Sequence, residues 1–162
     1  RLPVLFVCEN NLYSTHLTLK ERRVKDNIVE SAALHGLPGV VVDGNDATAV
    51  YQTAHQAVQR ARIGEGPTLL ECRTYRWRGH VGPAADLEVG TDRRRELDDW
   101  QRRDPIAQCR GLLKVHGLSS EVFDRLEAEI RREIDEAVSF ARLSPAPDES
   151  ELLQHVYARG GV

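Results

Sequence analysis

Two residues at the end of an apolar run have the spacing at which oxygen donors can meet one hard cation: Asn11, through its amide oxygen, and Tyr13, through its main-chain carbonyl. Magnesium takes six oxygen ligands in near-octahedral geometry and commonly draws several of them from phosphates. An amide oxygen and a carbonyl two residues later can meet one ion when the chain curls just past the end of a strand. The run that precedes them, Val4-Leu5-Phe6-Val7-Cys8, is led by Pro3 and reads as a short strand buried on both faces, as inside a parallel sheet. Its carboxyl end turns polar at Glu9-Asn10-Asn11, and in open α/β sheets ligands gather outside those ends. The residues alone leave a second reading open. Asn tolerates left-handed backbone and bonds its own main chain, so from the residues alone a plain turn at Asn10-Asn11 is the commoner of the two readings.

His80, between Gly79 and Val81, is the other candidate. An imidazole there could donate to phosphate oxygens or carry a proton, although a lone loop histidine is more commonly a solvated side chain. His16, His35, His55, His116 and His155 show no metal-ligand spacing and receive no role. Cys8, Cys72 and Cys109 lie far apart with no Cys-x-x-Cys pair, so they read as reduced core residues, without zinc or redox chemistry.

The elements that must position these groups alternate. After an aperiodic loop through Lys20-Glu21-Arg22-Arg23, Asp26 can cap a helix whose stripe is Ile28, Val29, Ala32, Ala33 and Leu34, ended by Gly36 and Pro38. Val40-Val41-Val42 reads as a second buried strand, and Asp43-Gly44-Asn45-Asp46 as a turn capping an alanine-rich helix from Ala47 to Arg62. Gly64-Glu65-Gly66-Pro67 breaks it. Thr68 to Tyr75 is a third strand, more alternating and so placed nearer an edge. This order predicts an α/β fold, a parallel sheet with flanking helices and right-handed crossovers, followed by C-terminal helices. Residues 76–103 have little periodicity and read as a functional loop. Asp104-Pro105 opens a helix carrying Ile106, Cys109, Leu112 and Leu113. Ser119-Ser120-Glu121-Val122 resembles a capping box before a long helix to about Leu143, with a charged, solvated outer face. A last short helix is expected from Glu149 to Tyr157.

A length of 162 residues with 41% hydrophobic and 29% charged content suits one soluble globular domain, residues 1–162, with 104–162 as its helical C-terminal segment. The net charge of −3 offers no basic field, so neither nucleic acid nor membrane is an expected partner. No apolar run approaches the roughly 20 residues of a membrane helix. No methionine occurs, even at position 1, and the chain starts almost flush with a core strand, which suggests the carboxyl-terminal part of a longer polypeptide.

Residues 2–13, Leu-Pro-Val-Leu-Phe-Val-Cys-Glu-Asn-Asn-x-Tyr, resemble the closing half of the thiamine-diphosphate motif in the α subunits of 2-oxo acid dehydrogenase E1 components (pyruvate, branched-chain) and of acetoin dehydrogenase. Thr74-Tyr75-Arg76-x-x-Gly79-His80 resembles a second signature of that family, with Val42-Asp43-Gly44-Asn45-Asp46 between the two. The resemblance is strongest over 3–13 and 38–80. It implies a partial thiamine-diphosphate-binding fold in which Asn11 and Tyr13 are ligands of Mg2+ and contact the cofactor. The diphosphate and an aspartate from the motif's opening Gly-Asp-Gly, absent here, complete the shell. It implies that His80 faces the diphosphate and the substrate channel as a catalytic and cofactor-binding residue. It also implies an E1 β subunit in an α2β2 heterotetramer and a lipoyl-bearing E2 component. The activity would be oxidative decarboxylation of a 2-oxo acid, or acetoin cleavage, with acyl transfer to the lipoyl carrier, in the bacterial cytoplasm or a mitochondrial matrix. The glutamate that activates the cofactor belongs to the β subunit in this family, so Glu9 is expected only to orient the Asn-Asn turn. Val81 stands where kinase-regulated members carry Ser, which removes phosphorylation at that position. Arg76 and Asp86 are expected to pair weakly across the loop. Two alternatives remain: a non-catalytic interface subunit that keeps the fold, and a single-chain transketolase-type enzyme, which would need a pyrimidine-binding domain fused downstream.

Overall fold

The computed structural model describes residues 1–85, 87, 92–152 and 154. The chain divides into two compact units, Arg1–His116 and Gly117–Val162. In the first, three strands, β1 (Leu5–Asn10), β4 (Gly39–Asp43) and β5 (Thr68–Arg73), form a parallel sheet in the order β1-β5-β4. Between β1 and β4 come a ribbon of two very short strands, β2 (Tyr13–Ser14) and β3 (Leu17–Thr18), the short helix α1 (Leu19–Arg22) and a 3₁₀ helix, Val29–His35. Helix α2 (Ala47–Arg62) joins β4 to β5, and α3 (Arg94–Gln101) and α4 (Pro105–Val115) follow. The second unit holds α5 (Ser120–Leu143) and a 3₁₀ turn, Glu149–Glu151.

The parallel α/β architecture stands as the sequence predicts, but the strand order does not. β5 is the central strand, hydrogen-bonded to both others, and β1 and β4 are the edges. Its alternation is not that of a half-solvated edge: Glu71, Cys72 and Leu70 are all buried. Conversely, Phe6 and Val7 of β1 are 49% and 56% exposed and Val40 and Val41 are exposed in β4. The expectation that these strands are buried on both faces fails: Phe6 and Val7, like Val40 and Val41, are successive residues pointing to opposite faces, and no layer among the described residues covers them fully. The core is Val42, Leu70 and Cys72 packed with Leu5 and with Ala49, Val50 and Ala54 of α2. Small residues on α2 let its backbone lie close to the sheet, and burial of a side chain such as Leu70 stabilises by about 1.5–3 kcal/mol.

Helix ends follow local chemistry where the cap is adjacent in sequence. Asp46 accepts from the N–H groups of Thr48 and Ala49 to open α2, and Asp104 accepts from Ile106 N–H with Pro105 at the first turn of α4. Thr18 and Glu21 form a capping box on α1, in a stretch that reads as an unstructured loop. Asp26 is not a cap. The 3₁₀ helix begins without a side-chain bond from its own N-cap residue, Ile28, and Gly36 ends it with φ 65°. Residues 76–103 are not all loop either, since α3 occupies Arg94–Gln101. In the second unit Ser119 makes no capping bond to α5, and the apolar stripe residues Leu126, Ile130, Ile134 and Val138 are exposed. The predicted helix to Tyr157 is a 3₁₀ turn as far as it is described; residue 153 and residues 155–162 lie outside the described residues.

Gly44 sits where the chain leaves β4 and presses onto the end of β5, its N–H donating to the Arg73 carbonyl at 2.7 Å. A Cβ there would stand 2.8 Å from that oxygen and 3.2 Å from its carbon. Both are backbone atoms of the central strand and cannot swing aside. Gly44→Ala is therefore expected to destabilise the subunit by about 1–3 kcal/mol, read as a lower guanidinium unfolding midpoint.

Candidate functional site

The carboxyl ends of the three parallel strands finish in register on Asn10, Arg73 and Asp43, a polar row across the rim where ligands of open α/β sheets collect. Just beyond Asn10 the chain reverses through Leu12, a non-glycine residue at φ 66°. Left-handed backbone costs a side-chain-bearing residue about 1–2 kcal/mol, and two amide caps offset it. Asn10 Oδ1 accepts from Leu12 N–H at 3.0 Å and Asn11 Oδ1 accepts from Tyr13 N–H at 3.0 Å. The turn reading of Asn10-Asn11 is thus correct as local structure, and it is also what aims the candidate ligands.

Thr18, the ladder partner of Tyr13, donates its N–H to Glu21, while Leu19 N–H donates to the Leu12 carbonyl at 2.7 Å. Tyr13 and Thr18 are therefore a pair not hydrogen-bonded to each other, whose main-chain groups point out of the ribbon. In extended backbone the N–H and C=O of one residue face the same edge, so the Tyr13 carbonyl lies on the side where its N–H meets the Asn11 amide oxygen. That oxygen keeps a second lone pair. Both oxygens thus lie toward the edge that carries the Tyr13 N–H. A cleft of about 280 Å3 is lined by Tyr13, Thr18, Lys20, Asp26, Arg73 and Glu96; Asn11 is not among its walls. Among the described residues no group of three or more His, Cys, Asp or Glu is placed to hold a metal. A larger depression, about 740 Å3, opens at the opposite, amino ends of the strands around Leu2, Val4, Pro38 and Pro67.

The Tyr13 side chain is held from the other direction. Its hydroxyl donates to Glu96 of α3 at 2.5 Å, and Tyr75 donates to the same carboxylate oxygen at 3.2 Å, with the two rings edge to face at 5.9 Å. Arg93, 1% exposed, places its guanidinium 4.6 Å from the centre of the Tyr13 ring and 5.0 Å from that of Tyr75. It donates through Nε to the Tyr75 hydroxyl at 3.0 Å and through Nη2 to the Arg76 carbonyl. Burial, then the Glu96 bond, pushes the Tyr13 phenol well above the usual tyrosine range. Burial likewise raises Tyr75, against the opposing pull of Arg93. Trp100 stacks on Tyr75 at 5.6 Å.

His80 is exposed, at the tip of a small loop closed by Gly79 N–H to the Ala84 carbonyl at 2.6 Å and by Arg78 to the Pro83 carbonyl at 3.0 Å. No contact joins it to Asn11 or Tyr13 among the described residues. What ties its loop to the turn is Arg76, which donates to the Thr15 carbonyl at 2.7 Å. The expected partner of Arg76, Asp86, lies outside the described residues. Glu9 is exposed and its carboxylate makes no hydrogen bond among the described residues, so it does not orient the Asn-Asn turn. Asn10 does, and Asn10 is held in turn by Glu71.

Glu71, Arg93 and Glu96 carry the site and are not singled out by the sequence reading. Glu71 had a signal: a carboxylate between Leu70 and Cys72 in a parallel strand is rare unless it is paired inside. Arg93 and Glu96 had none, since a run of charges opening a helix is usually a solvated face. Asn45, buried at the rim, accepts from Thr74 at 2.8 Å and donates to the Arg103 carbonyl at 3.0 Å, so it fixes the start of the Thr-Tyr-Arg segment.

A parallel sheet with a capped Asn-Asn turn at its carboxyl rim, tied by one arginine to a histidine-bearing loop, is an α/β domain of the class whose ligands collect at that rim. The family model described as dehydrogenase E1 component matches residues 1–150, and the chain belongs to that family. It is 39% identical over 99% of its length to the α subunit of acetoin:2,6-dichlorophenolindophenol oxidoreductase from Bacillus subtilis, covering 48% of that protein. To the chloroplastic pyruvate dehydrogenase E1 component subunit alpha-3 of Arabidopsis thaliana it is 41% identical over 98% of its length, covering 36% of the relative. To the 2-oxoisovalerate dehydrogenase subunit alpha of Bacillus subtilis it is 36% identical over 98%, covering 48%. The chain thus spans about half the length, or less, of these relatives. No helix among the described residues is long and apolar enough to cross a membrane.

The Arg93 cluster gives a direct test of how Tyr13 is held. Arg93→Lys keeps the charge but cannot donate from a planar fork to Tyr75 and the Arg76 carbonyl together. The expected cost is about 1–3 kcal/mol, seen as a lower guanidinium midpoint, and an unmoved midpoint shows that the fork is not needed.

Proposed function

We propose that this chain supplies half of a magnesium and thiamine-diphosphate site in the α subunit of a dehydrogenase E1 component acting on a 2-oxo acid or on acetoin. The observation that carries the reading is the turn at residues 10–13, where the Asn11 amide oxygen accepts from Tyr13 N–H and so lies toward the edge that extended backbone gives the Tyr13 carbonyl. Both groups are neutral hard oxygens, which fits an ion whose remaining ligands are anionic phosphate oxygens and water. No Gly-Asp-Gly occurs in the 162 residues, so the aspartate ligand that the family resemblance implies is not among them.

When bound, the thiazolium supplies the carbanion chemistry of decarboxylation or acetoin cleavage. The chain's own part is to hold and orient. Asn11 and Tyr13 would hold the cation that neutralises the diphosphate, and the Asx turn stiffens both, so little ordering entropy would be lost on binding. Arg93, through Tyr13 and the Arg76 carbonyl, keeps the turn and the base of the histidine loop in one fixed relation. His80, exposed at that loop's tip, donates to phosphate oxygens or moves a proton at the reacting carbon's substituents. The E1 β subunit and a lipoyl-bearing E2 component are the partners this function requires, the first to complete the site in an α2β2 assembly and the second to accept the acyl group.

In the full-length subunit assembled with its β partner, Asn11→Ala is expected to weaken magnesium-dependent thiamine-diphosphate binding by tenfold or more, followed by isothermal titration. Unchanged affinity refutes the assignment and favours a subunit that contributes only an interface. His80→Ala is expected to leave that affinity within a few-fold and to lower turnover by about 10²-fold or more; full turnover removes His80 from the chemistry.

A further inference from the structure

Beneath the rim lies a group that the proposed function does not use. Glu71, in the middle of the central strand, has no exposed surface. Its Oε1 accepts from Asn10 Nδ2 at 2.7 Å, and its Oε2 accepts from the N–H groups of Ile28 and Val29, both at 2.7 Å. Arg73 Nε stands 3.5 Å from Oε1. Asn10 is itself 4% exposed and spends its other atom on the turn, Oδ1 accepting from Leu12 N–H at 3.0 Å. An amide has one donor end and one acceptor end. A carboxylate at position 71 can only accept, so it dictates which end of Asn10 faces inward and thereby aims Oδ1 at Leu12.

Resting on the metal reading above, we propose that Glu71 is a positioning residue for the cation site, acting through the amide orientation of Asn10. The relay runs from the Glu71 carboxylate to Asn10 Nδ2, from Asn10 Oδ1 to Leu12 N–H, and from the left-handed Leu12 to the edge shared by Asn11 and Tyr13. The same carboxylate anchors the start of the 3₁₀ helix, so a role in folding alone is the rival account. Hydrogen-bond polarity separates the two. Glu71→Gln is isosteric, but it turns one end of the side chain into a donor. If the new amide nitrogen faces Asn10, then Asn10 must turn its oxygen inward and its nitrogen toward Leu12 N–H, where donor meets donor and the turn loses its cap. Asn10→Asp in the Glu71→Gln background restores every bond with reversed polarity. The amide introduced on the central strand then accepts from Ile28 and Val29 and donates to the carboxylate introduced at the end of β1. That carboxylate accepts from Leu12 N–H as well, and the number of buried carboxylates is unchanged.

The test is a double-mutant cycle in the full-length subunit assembled with its partner. Mn2+ affinity is read by electron paramagnetic resonance in the presence of thiamine diphosphate, with circular dichroism as the check on folding. Glu71→Gln and Asn10→Asp are each expected to weaken Mn2+ binding about 10- to 100-fold, and the double variant is expected to return to within about threefold of wild type. If Asn11→Ala loses the ion while Glu71→Gln binds it like wild type, the metal reading stands and the relay is overturned. If the double variant is as weak as Glu71→Gln, polarity at Asn10 is not what Glu71 supplies, and the relay is again overturned. If Asn11→Ala binds like wild type, the metal site itself falls and the relay with it. Should Glu71→Gln fail to fold, the double variant alone decides, by regaining the ion or not.

Discussion

A carboxylate with no access to solvent is the constraint around which the first unit is built. Isolated in an apolar interior, such a group would cost several kcal/mol, so the chain must bring donors to it. Those bonded to Glu71 come from Asn10 at the end of β1 and from Ile28 and Val29 at the start of the 3₁₀ helix. A single side chain on the central strand therefore sets where the edge strand stops and where the next helix starts. Neither partner is near it in sequence, and satisfying it closes a loop between residues 10 and 28 that contains the ribbon β2-β3 and helix α1.

The same logic of shared donors recurs one layer out. Glu96 takes both phenols, Tyr13 and Tyr75, and Arg93 sits between their rings with a bond to the Arg76 carbonyl. Asp43 accepts from Asn45 N–H at 3.0 Å and pairs with Arg103, while Asn45 bonds the Arg103 carbonyl and Thr74. Each rim residue is thus held by groups from two or three separate segments. Cooperative polar networks in low dielectric lose more than one bond's worth when one member is removed, which makes this rim rigid without a large apolar core beneath it.

Much of this unit was legible from residues and much was not, for one physical reason. Features decided within a few residues were readable. Examples are the alanine stripe of α2 with Asp46 at its head, Pro105 opening α4, Gly36 closing the 3₁₀ helix, and the Asn-Asn turn with its ligand-like spacing. Features decided by a partner far along the chain were misread. Glu71 made β5 look like an edge when its burial marks it as the centre, and Asp26 looked like a cap where the capping group lies 43 residues away from Ile28. Phe6 and Val7 promised a strand covered on both sides, but neighbours and not hydropathy decide that. For the candidate site, spacing and resemblance point to Asn11, Tyr13 and His80, whereas the contacts of Glu71 and Arg93 join segments far apart in the chain and no spacing encodes them.

On the proposed reading, the chemistry of the two ligands also bears on the order of assembly. Asn11 and Tyr13 offer the ion only neutral dipoles, and no cluster of carboxylates among the described residues adds charge. Magnesium sheds its water reluctantly and prefers anionic oxygens, so this half-site has little affinity for the bare ion. A diphosphate, and the aspartate that the family resemblance places outside these 162 residues, would supply the charge that these two groups lack. On the same proposal the buried Glu71 stands one shell away, bonded to Asn10 and to neither candidate ligand, so it would not compete with phosphate for the ion.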